Sequence, residues 1–304
     1  MEYLVYKLKF ENGVHWGNGS LDRSNYIFSA DVLFSALYIE ALKLGLEKQF
    51  FEKTSEGEIV FSDAFPYLGE ILTIPKPMLY IERKEEEIDT DRKKFKNMKY
   101  IPIGWLEKWV NGTLKDVDNP MDELGTHSQY TKAFVRREET QPYHVGVYRF
   151  APENGVYIIV GYEKEEDIEL LEELLESLSY AGIGGKKSSG LGRFEFKRTK
   201  RGIEPLIRAL NEKSGIQMLL SSALPGEEEL ESAMKNASYL LEKKSGFVAS
   251  REYAPEYRRK RDLYVFSAGS CFEHTFSGEI VDVSNGGNHP VYRYAKAMFM
   301  GVKP

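Results

Sequence analysis

The chain has 304 residues, of which 42% are hydrophobic and 29% charged, and it carries a net charge of −6. That is enough apolar material for real cores, it excludes a wholly disordered chain, and at ~100–200 residues per domain the length suits two domains. No apolar stretch reaches the ~18 residues of a membrane-spanning helix, the N-terminus MEYLVYKLKF lacks a signal-peptide pattern, and one cysteine, Cys271, supports neither an internal disulfide nor a multi-cysteine zinc site, so the expectation is a soluble, cytoplasmic protein with no membrane association.

Residues 3–10 alternate, and Leu4, Tyr6, Leu8 and Phe10 share one face of a half-buried strand. Residues 29–45 read as a helix, with Ser29 as N-cap, Leu33, Leu37, Ala41 and Leu44 at helical spacing, and Gly45 as the stop. The pattern then becomes irregular. Residues 82–99 are highly charged and 111–130 loop-like, so about 82–150 reads as an insertion in a smaller core. Order returns with a buried strand at 156–162 and a helix at 165–181 that carries Ile168, Leu171, Leu174, Leu175 and Leu178 on one face. After the sequence GIGGKKSSGLG (182–192) a short strand, 192–198, is expected. Strand–helix, insertion, then strand–helix–strand suits a split β-α-β unit. Residues 199–215 form a linker or linking helix. A second α+β unit follows, with strands at 216–224, 238–243, 263–268, 279–283 and 291–301 and a helix at 226–236. The division is therefore 1–200 and 201–304.

Charge is distributed unevenly. Residues 163–176 hold eight acidic side chains and one lysine, a solvated face or the complement of a basic partner. Residues 182–201 hold seven basic side chains against Glu195 alone, and a local basic surface on an acidic protein can grip phosphate. Five glycines and two serines occupy the eleven residues of 182–192. Glycine permits positive φ and close backbone approach, so several N–H groups can converge on a phosphate, while Lys186 and Lys187 add charge and Ser188 and Ser189 add hydroxyls. A tight helix–strand turn needs only one or two glycines. The loop is neither a Walker A motif nor a dinucleotide fingerprint, because a strand follows it. Residues 130–150 interleave Lys132, Arg136, Arg137 and Arg149 with Tyr130, Phe134, Tyr143, Tyr148 and Phe150, a mixture suited to gripping and stacking a single strand, or to an ordinary amphipathic hairpin. Residues 251–261 and 291–296 are two further basic and aromatic clusters. His15, in VHWG, is either an acid–base group or phosphate contact, or a plain loop histidine. No HExxH, HxH or CxxC pairing supports a metal site, and Cys271 reads as a small buried residue.

The loop GIGGKKSSGLGRF resembles the signature of the RAMP superfamily of CRISPR-associated RNA-binding proteins. Five further pieces resemble one branch of it, the fourth subunit of the Csm type III-A interference complex: VHWG; SADVLFSALYIEAL at 29–42; FPYL with LTIPKP at 65–77; KSGFVAS at 244–250; and GSCF, IVDV and HPVYRYAKAMFMGV at the C-terminus. The resemblance implies two tandem ferredoxin-like, RRM-related units, with the insertion supplying a β-hairpin thumb in the first. It implies a non-catalytic subunit without cofactor or metal that caps the crRNA 5′ end, grips the repeat-derived tag, and docks the large palm-domain subunit and the first backbone subunit. Carried over by position, Gly184, Gly185, Lys186, Lys187, Ser188, Ser189, Gly190 and Gly192 line the tag. His15, Arg251 and the segment Arg293, Tyr294 and Lys296 are further candidates, and Arg136 and Arg137 belong to the thumb. The alternative is a metal-independent endoribonuclease that processes repeat RNA, with His15 as acid or base and Lys186 or Lys187 stabilising the pentavalent phosphate.

Overall fold

The computed structural model describes residues 1–17, 19–81, 95–115, 117–136 and 139–303. The N-terminal alternation becomes strand β1 (Glu2–Lys9). Tyr6, Leu8 and Phe10 enter one core with Leu4 packed against it, as the spacing predicts, but Val5 enters a second core on the opposite face. Both faces of the strand are therefore covered. Helix α1 (Ala30–Leu44) begins and ends where the sequence places it, and Gly45 takes the left-handed conformation at φ 73°. Its N-terminal cap differs from expectation. The Ser29 side chain makes no capping bond, and the Ala30 N–H instead donates to Asp63 Oδ1 at 2.8 Å.

The apparently irregular stretch after α1 holds α2 (Glu47–Glu56), β2 (Ile59–Phe61), β3 (Phe65–Leu68), β4 (Ile71–Pro75), β5 (Tyr100–Pro102) and α3 (Leu106–Val110). Next come two twelve-residue strands, β6 (Gly125–Arg136) and β7 (Glu139–Phe150), paired along their whole length. Strand β8 (Asn154–Tyr162), helix α4 (Glu165–Ala181) and strand β9 (Glu195–Thr199) follow. The principal sheet is antiparallel in the order β5-β4-β3-β8-β1-β9, with β2 also paired to β8. The expected insertion is thus not wholly peripheral, because β5 is a strand of this sheet. The charged residues 82–94 lie outside the described residues. Helices α1 and α4 cover one sheet face: Leu33, Phe34 and Leu37 of α1 and Leu171, Leu174 and Leu178 of α4 meet Tyr6, Leu8, Val156 and Ile158.

The other face, carrying Val5, Phe65, Tyr157 and Ile159, packs against the second half of the chain. That half contains α5 (Glu204–Leu210), β10 (Ile216–Leu219), α6 (Glu227–Met234), β11 (Leu241–Lys244), β12 (Leu263–Phe266), β13 (Cys271–Phe272), β14 (Gly278–Asp282), β15 (Tyr292–Lys296) and β16 (Phe299–Val302). These strands form a three-stranded sheet, β13-β10-β16, and two ribbons, β11-β12 and β14-β15. The expected single strand at 291–301 is two strands, parted at Ala297 and Met298. Burial on both faces explains the continuous apolar run VYIIV in β8.

Polar groups lock the halves together as well. Asp63 is buried and accepts from the Ala30 N–H, the Ser222 N–H at 3.0 Å and the Ser222 hydroxyl at 2.8 Å. Burial pushes its pKa above the ordinary carboxylate value, against hydrogen bonds that favour the charged form. Asp31 of α1 is ion-paired with Arg293 of β15, and the Tyr294 hydroxyl accepts from the Phe61 N–H at 2.9 Å. Cys271 is buried, which pushes its thiol up to about 12. Among the described residues, no helix is long and apolar enough to cross a membrane.

Candidate nucleic-acid interface

The glycine-rich segment leaves α4 and is pulled flat against the stretch that follows β1. Gly185 N–H donates to His15 O at 2.9 Å, Gly192 N–H to Gly13 O at 3.0 Å, and the Trp16 indole to Ile183 O at 3.1 Å. The two ends of the loop also close on each other, with Ile183 N–H donating to Gly192 O at 2.9 Å. This geometry requires glycine at specific positions. Gly192 has φ +80°, and a Cβ there would lie 2.2 Å from Ile183 O. A Cβ on Gly185 would lie 2.7 Å from His15 Cδ2. Between them Lys186 adopts the left-handed conformation at φ 58°, followed by a single 3-10 turn, Lys187–Ser189, closed by Gly190. Among the described residues the N–H groups of Lys186, Lys187 and Ser188 make no backbone hydrogen bond. Consecutive free N–H groups around a left-handed residue form an anion-binding concavity.

The hairpin β6-β7 supplies the opposite wall. Leu191 packs on Val145 and Val147, so this face of β7 turns toward the loop. Lys132 Nζ donates to Ser189 Oγ at 2.6 Å, and Lys186 Nζ sits 5.3 Å from the centre of the Tyr143 ring. Lys132 and Tyr143 are cross-strand partners, as are Tyr130 and Val145. Arg149 lies 5.6 Å from the Tyr130 ring centre. Gly184, Lys187, Ser188 and Ser189 are exposed, while Gly185, Lys186 and Gly190 are half-buried and Gly192 is buried. The result is a cationic edge with donor N–H groups, hydroxyls and aromatic rings on one wall, the set needed to grip a phosphate backbone and stack unpaired bases. Lys132 and Tyr143 are the residues that loop-centred reasoning underweights. Their signal was the basic and aromatic interleaving of 130–150.

The other candidates distribute differently. His15 is buried, and its Nδ1–H donates to Gly146 O at 2.7 Å, so it joins loop to hairpin. Arg136 ends β6 opposite Glu139, and Arg137 lies outside the described residues. Arg251 is exposed in the loop between β11 and β12. Arg293 is buried, paired to Asp31, and donates to Ser245 O at 2.7 Å. Tyr294 is buried among Phe34, Phe61 and α1 side chains. Lys296 lines a separate cleft between the two halves, and burial lowers its pKa. The sequence groups Arg293, Tyr294 and Lys296 with the loop, whereas the structure gives Arg293 and Tyr294 partners of their own in the core. As consecutive residues of β15 they point to opposite faces, and both are covered: Tyr294 packs into the core with α1, and Arg293 is held by Asp31 and Ser245 O. Among the described residues no group of three or more His, Cys, Asp or Glu is placed to hold a metal ion.

A family model described as the RAMP superfamily matches residues 7–195, and one described as the CRISPR Csm4 C-terminal domain matches 212–302. A protein of Streptococcus thermophilus described as CRISPR system Cms protein Csm4 is 36% identical over 309 residues, covering 98% of each chain. Its counterpart in Mycobacterium tuberculosis is 33% identical over 308 residues, covering 99% of this chain and 98% of the other. The chain belongs to the Csm4 family of the RAMP superfamily. The fold agrees. Csm4-family structures solved as a Csm3–Csm4 subcomplex of the type III-A CRISPR-Cas interference complex and as a Csm1–Csm4 cassette with AMPPNP superpose with TM-scores of 0.66 and 0.65. The matches cover 99% of this chain and 100% and 98% of the others, at 17% and 20% identity. The whole glycine-rich loop falls inside the RAMP match, and Arg251 and Arg293 inside the Csm4 C-terminal match.

Proposed function

We propose that this Csm4-family chain is a non-catalytic, RNA-binding subunit of a type III-A CRISPR effector complex, and that it grips the 5′ repeat-derived tag of crRNA in the groove between the glycine-rich loop and the β6-β7 hairpin. One observation carries this: the turn whose N–H groups at 186–188 make no backbone hydrogen bond is the turn that Lys132 reaches at Ser189 and whose Lys186 sits over the Tyr143 ring. The first half is read as a ferredoxin-like unit, on the strength of its antiparallel order β9-β1-β8-β3 with α1 and α4 on one face. The second half is read as a related unit, meeting the first near residue 200. The β6-β7 hairpin is read as the thumb that reaches over the RNA. Relatives solved with Csm1 and with Csm3 support docking of a large palm-domain subunit on one side and a backbone subunit on the other. The non-catalytic reading draws support from His15, whose Nδ1–H is engaged by Gly146 O inside a buried joint. Photo-crosslinking of crRNA to the full chain tests the proposal. Crosslinks from tag nucleotides to residues 184–190 and to β6-β7, without strand cleavage, are expected. Crosslinks confined to other surfaces, or cleavage that His15→Ala abolishes, would overturn it.

A further inference from the structure

The hairpin has a second face. Gly146, on the strand between Val145 and Val147, turns away from the glycine-rich loop, and a Cβ there would lie 2.6 Å from the Arg23 backbone. On that side residues 21–25 are stitched to the hairpin by Gly146 N–H to Leu21 O at 2.9 Å and Gln129 Nε2 to Asp22 O at 3.1 Å. They are stitched to the stretch that follows β1 by Asn25 N–H to Trp16 O at 2.7 Å, and by buried Ser24, which accepts from the Trp16 N–H at 3.0 Å. Between these walls lies a cavity of about 610 Å³. Tyr26 and His127 line it, and buried Tyr148 packs against both, with ring centres 5.5 Å and 4.8 Å away. Among the described residues the side chains of Arg23 and Asn25 have no hydrogen-bond or ionic partner, and the Tyr26 hydroxyl has none either. The position is one strand removed from the cationic loop, because Gly146 O holds His15, which in turn backs Gly185.

We propose that this cavity receives one unpaired nucleotide of the bound RNA, so that the strand wraps the base of the hairpin and is held on both of its faces. The proposal rests on the RNA-binding reading above. The volume suits a nucleotide, and the rings of Tyr26 and His127 offer stacking surfaces. Arg23 at the rim takes the phosphate. The base edge meets acceptors: the Asp22 carboxylate, which already accepts from Ser20, and Gln129 Oε1, left free because its Nε2 is spent on Asp22 O. Acceptors select a base edge that donates, so the pocket favours a base with an exocyclic amino group over uracil.

The test measures affinity of the full chain, alone and with the large subunit, for crRNA in which each tag position in turn is made abasic. For the wild type, one position should weaken binding roughly tenfold, the size of one lost base stack. The double variant Asn25→Ala, His127→Ala should show that loss already with intact RNA and no further loss at that position. Arg23→Ala, exposed and without structural contacts, should weaken binding on its own. At the coupled position cytidine should bind more tightly than uridine, and equal affinity would overturn the edge assignment. If Lys186→Ala, Lys187→Ala weakens binding while no abasic position couples to the pocket variants, the pocket is overturned and the loop reading stands. If neither set of variants changes affinity, or no RNA binds, the RNA-binding reading falls and the pocket with it.

Discussion

Arg293 is the position where sequence and structure assign most different work, and its replacement distinguishes them. The Asp31 and Arg293 side chains are only 4% and 9% exposed, and they join α1 to β15 across the two halves. Arg293 also donates to Ser245 O, and Asp31 Oδ1 accepts the Tyr294 N–H at 3.1 Å. Removing one member of a buried pair strands the other charge in low dielectric, which costs ~3–5 kcal/mol. Arg293→Met should therefore lower the melting temperature by roughly 6–10 °C, taking a shift of about 2 °C per kcal/mol for a chain of this size. Adding Asp31→Asn removes the stranded charge while keeping an acceptor for the Tyr294 N–H, so the double variant should regain about 1–2 kcal/mol. Urea unfolding of the wild type, both single variants and the double variant measures this cycle. A single variant that unfolds within ~0.5 kcal/mol of wild type, yet binds tag RNA much more weakly, would refute the structural assignment and return Arg293 to the RNA surface.

Other consequences are as direct. Gly192→Ala should disrupt the loop, since its Cβ would meet Ile183 O at 2.2 Å, whereas Gly190→Ala, with no atom within 4 Å, should cost only the ~1–2 kcal/mol of a left-handed alanine; equal losses in a thermal melt would contradict this. Lys186→Ala, Lys187→Ala should weaken tag RNA and flatten the plot of log affinity against log salt by about 1.4, or about 0.7 per charge on a single strand; an unchanged slope would place the phosphate elsewhere. Asp167 is buried, which pushes its pKa up, but hydrogen bonds from Lys53 and the backbone N–H groups of Lys164 and Glu163 prevail and hold it below the usual carboxylate range. A depressed carboxylate stabilises the fold above its unfolded pKa, ~3.9, and this is lost as pH falls through the folded value. Asp167→Asn should therefore destabilise at neutral pH and lessen the fall in stability below about pH 4; an unaltered acid limb would show that the pair contributes nothing.

Strong periodicity made β1, α1, β8 and α4 legible, and the glycine count made the loop legible. Helix α2 was not, because only Phe50 and Thr54 of its ten residues are buried, too few to print a period. Strands β2 to β5 are three to five residues long and buried on both sides, so they show no alternation. The hairpin β6-β7 was masked by its composition. Gly, Thr, His, Ser and Gln open β6 because its outward faces meet solvent and the loop rather than a core. What no local pattern could announce is the long-range work of Asp63, which caps α1 from 33 residues away and ties it to Ser222. The same holds for Arg293, whose burial depends on an aspartate 262 residues distant.

The most direct test of the central claim is the affinity of the purified full chain, with and without the large subunit, for crRNA bearing either its own 5′ tag or a scrambled one. The account predicts tag-dependent binding that Lys186→Ala, Lys187→Ala weakens, with the RNA recovered uncut. Equal affinity for both RNAs and for the variant, or RNA cleaved during the assay, would contradict it.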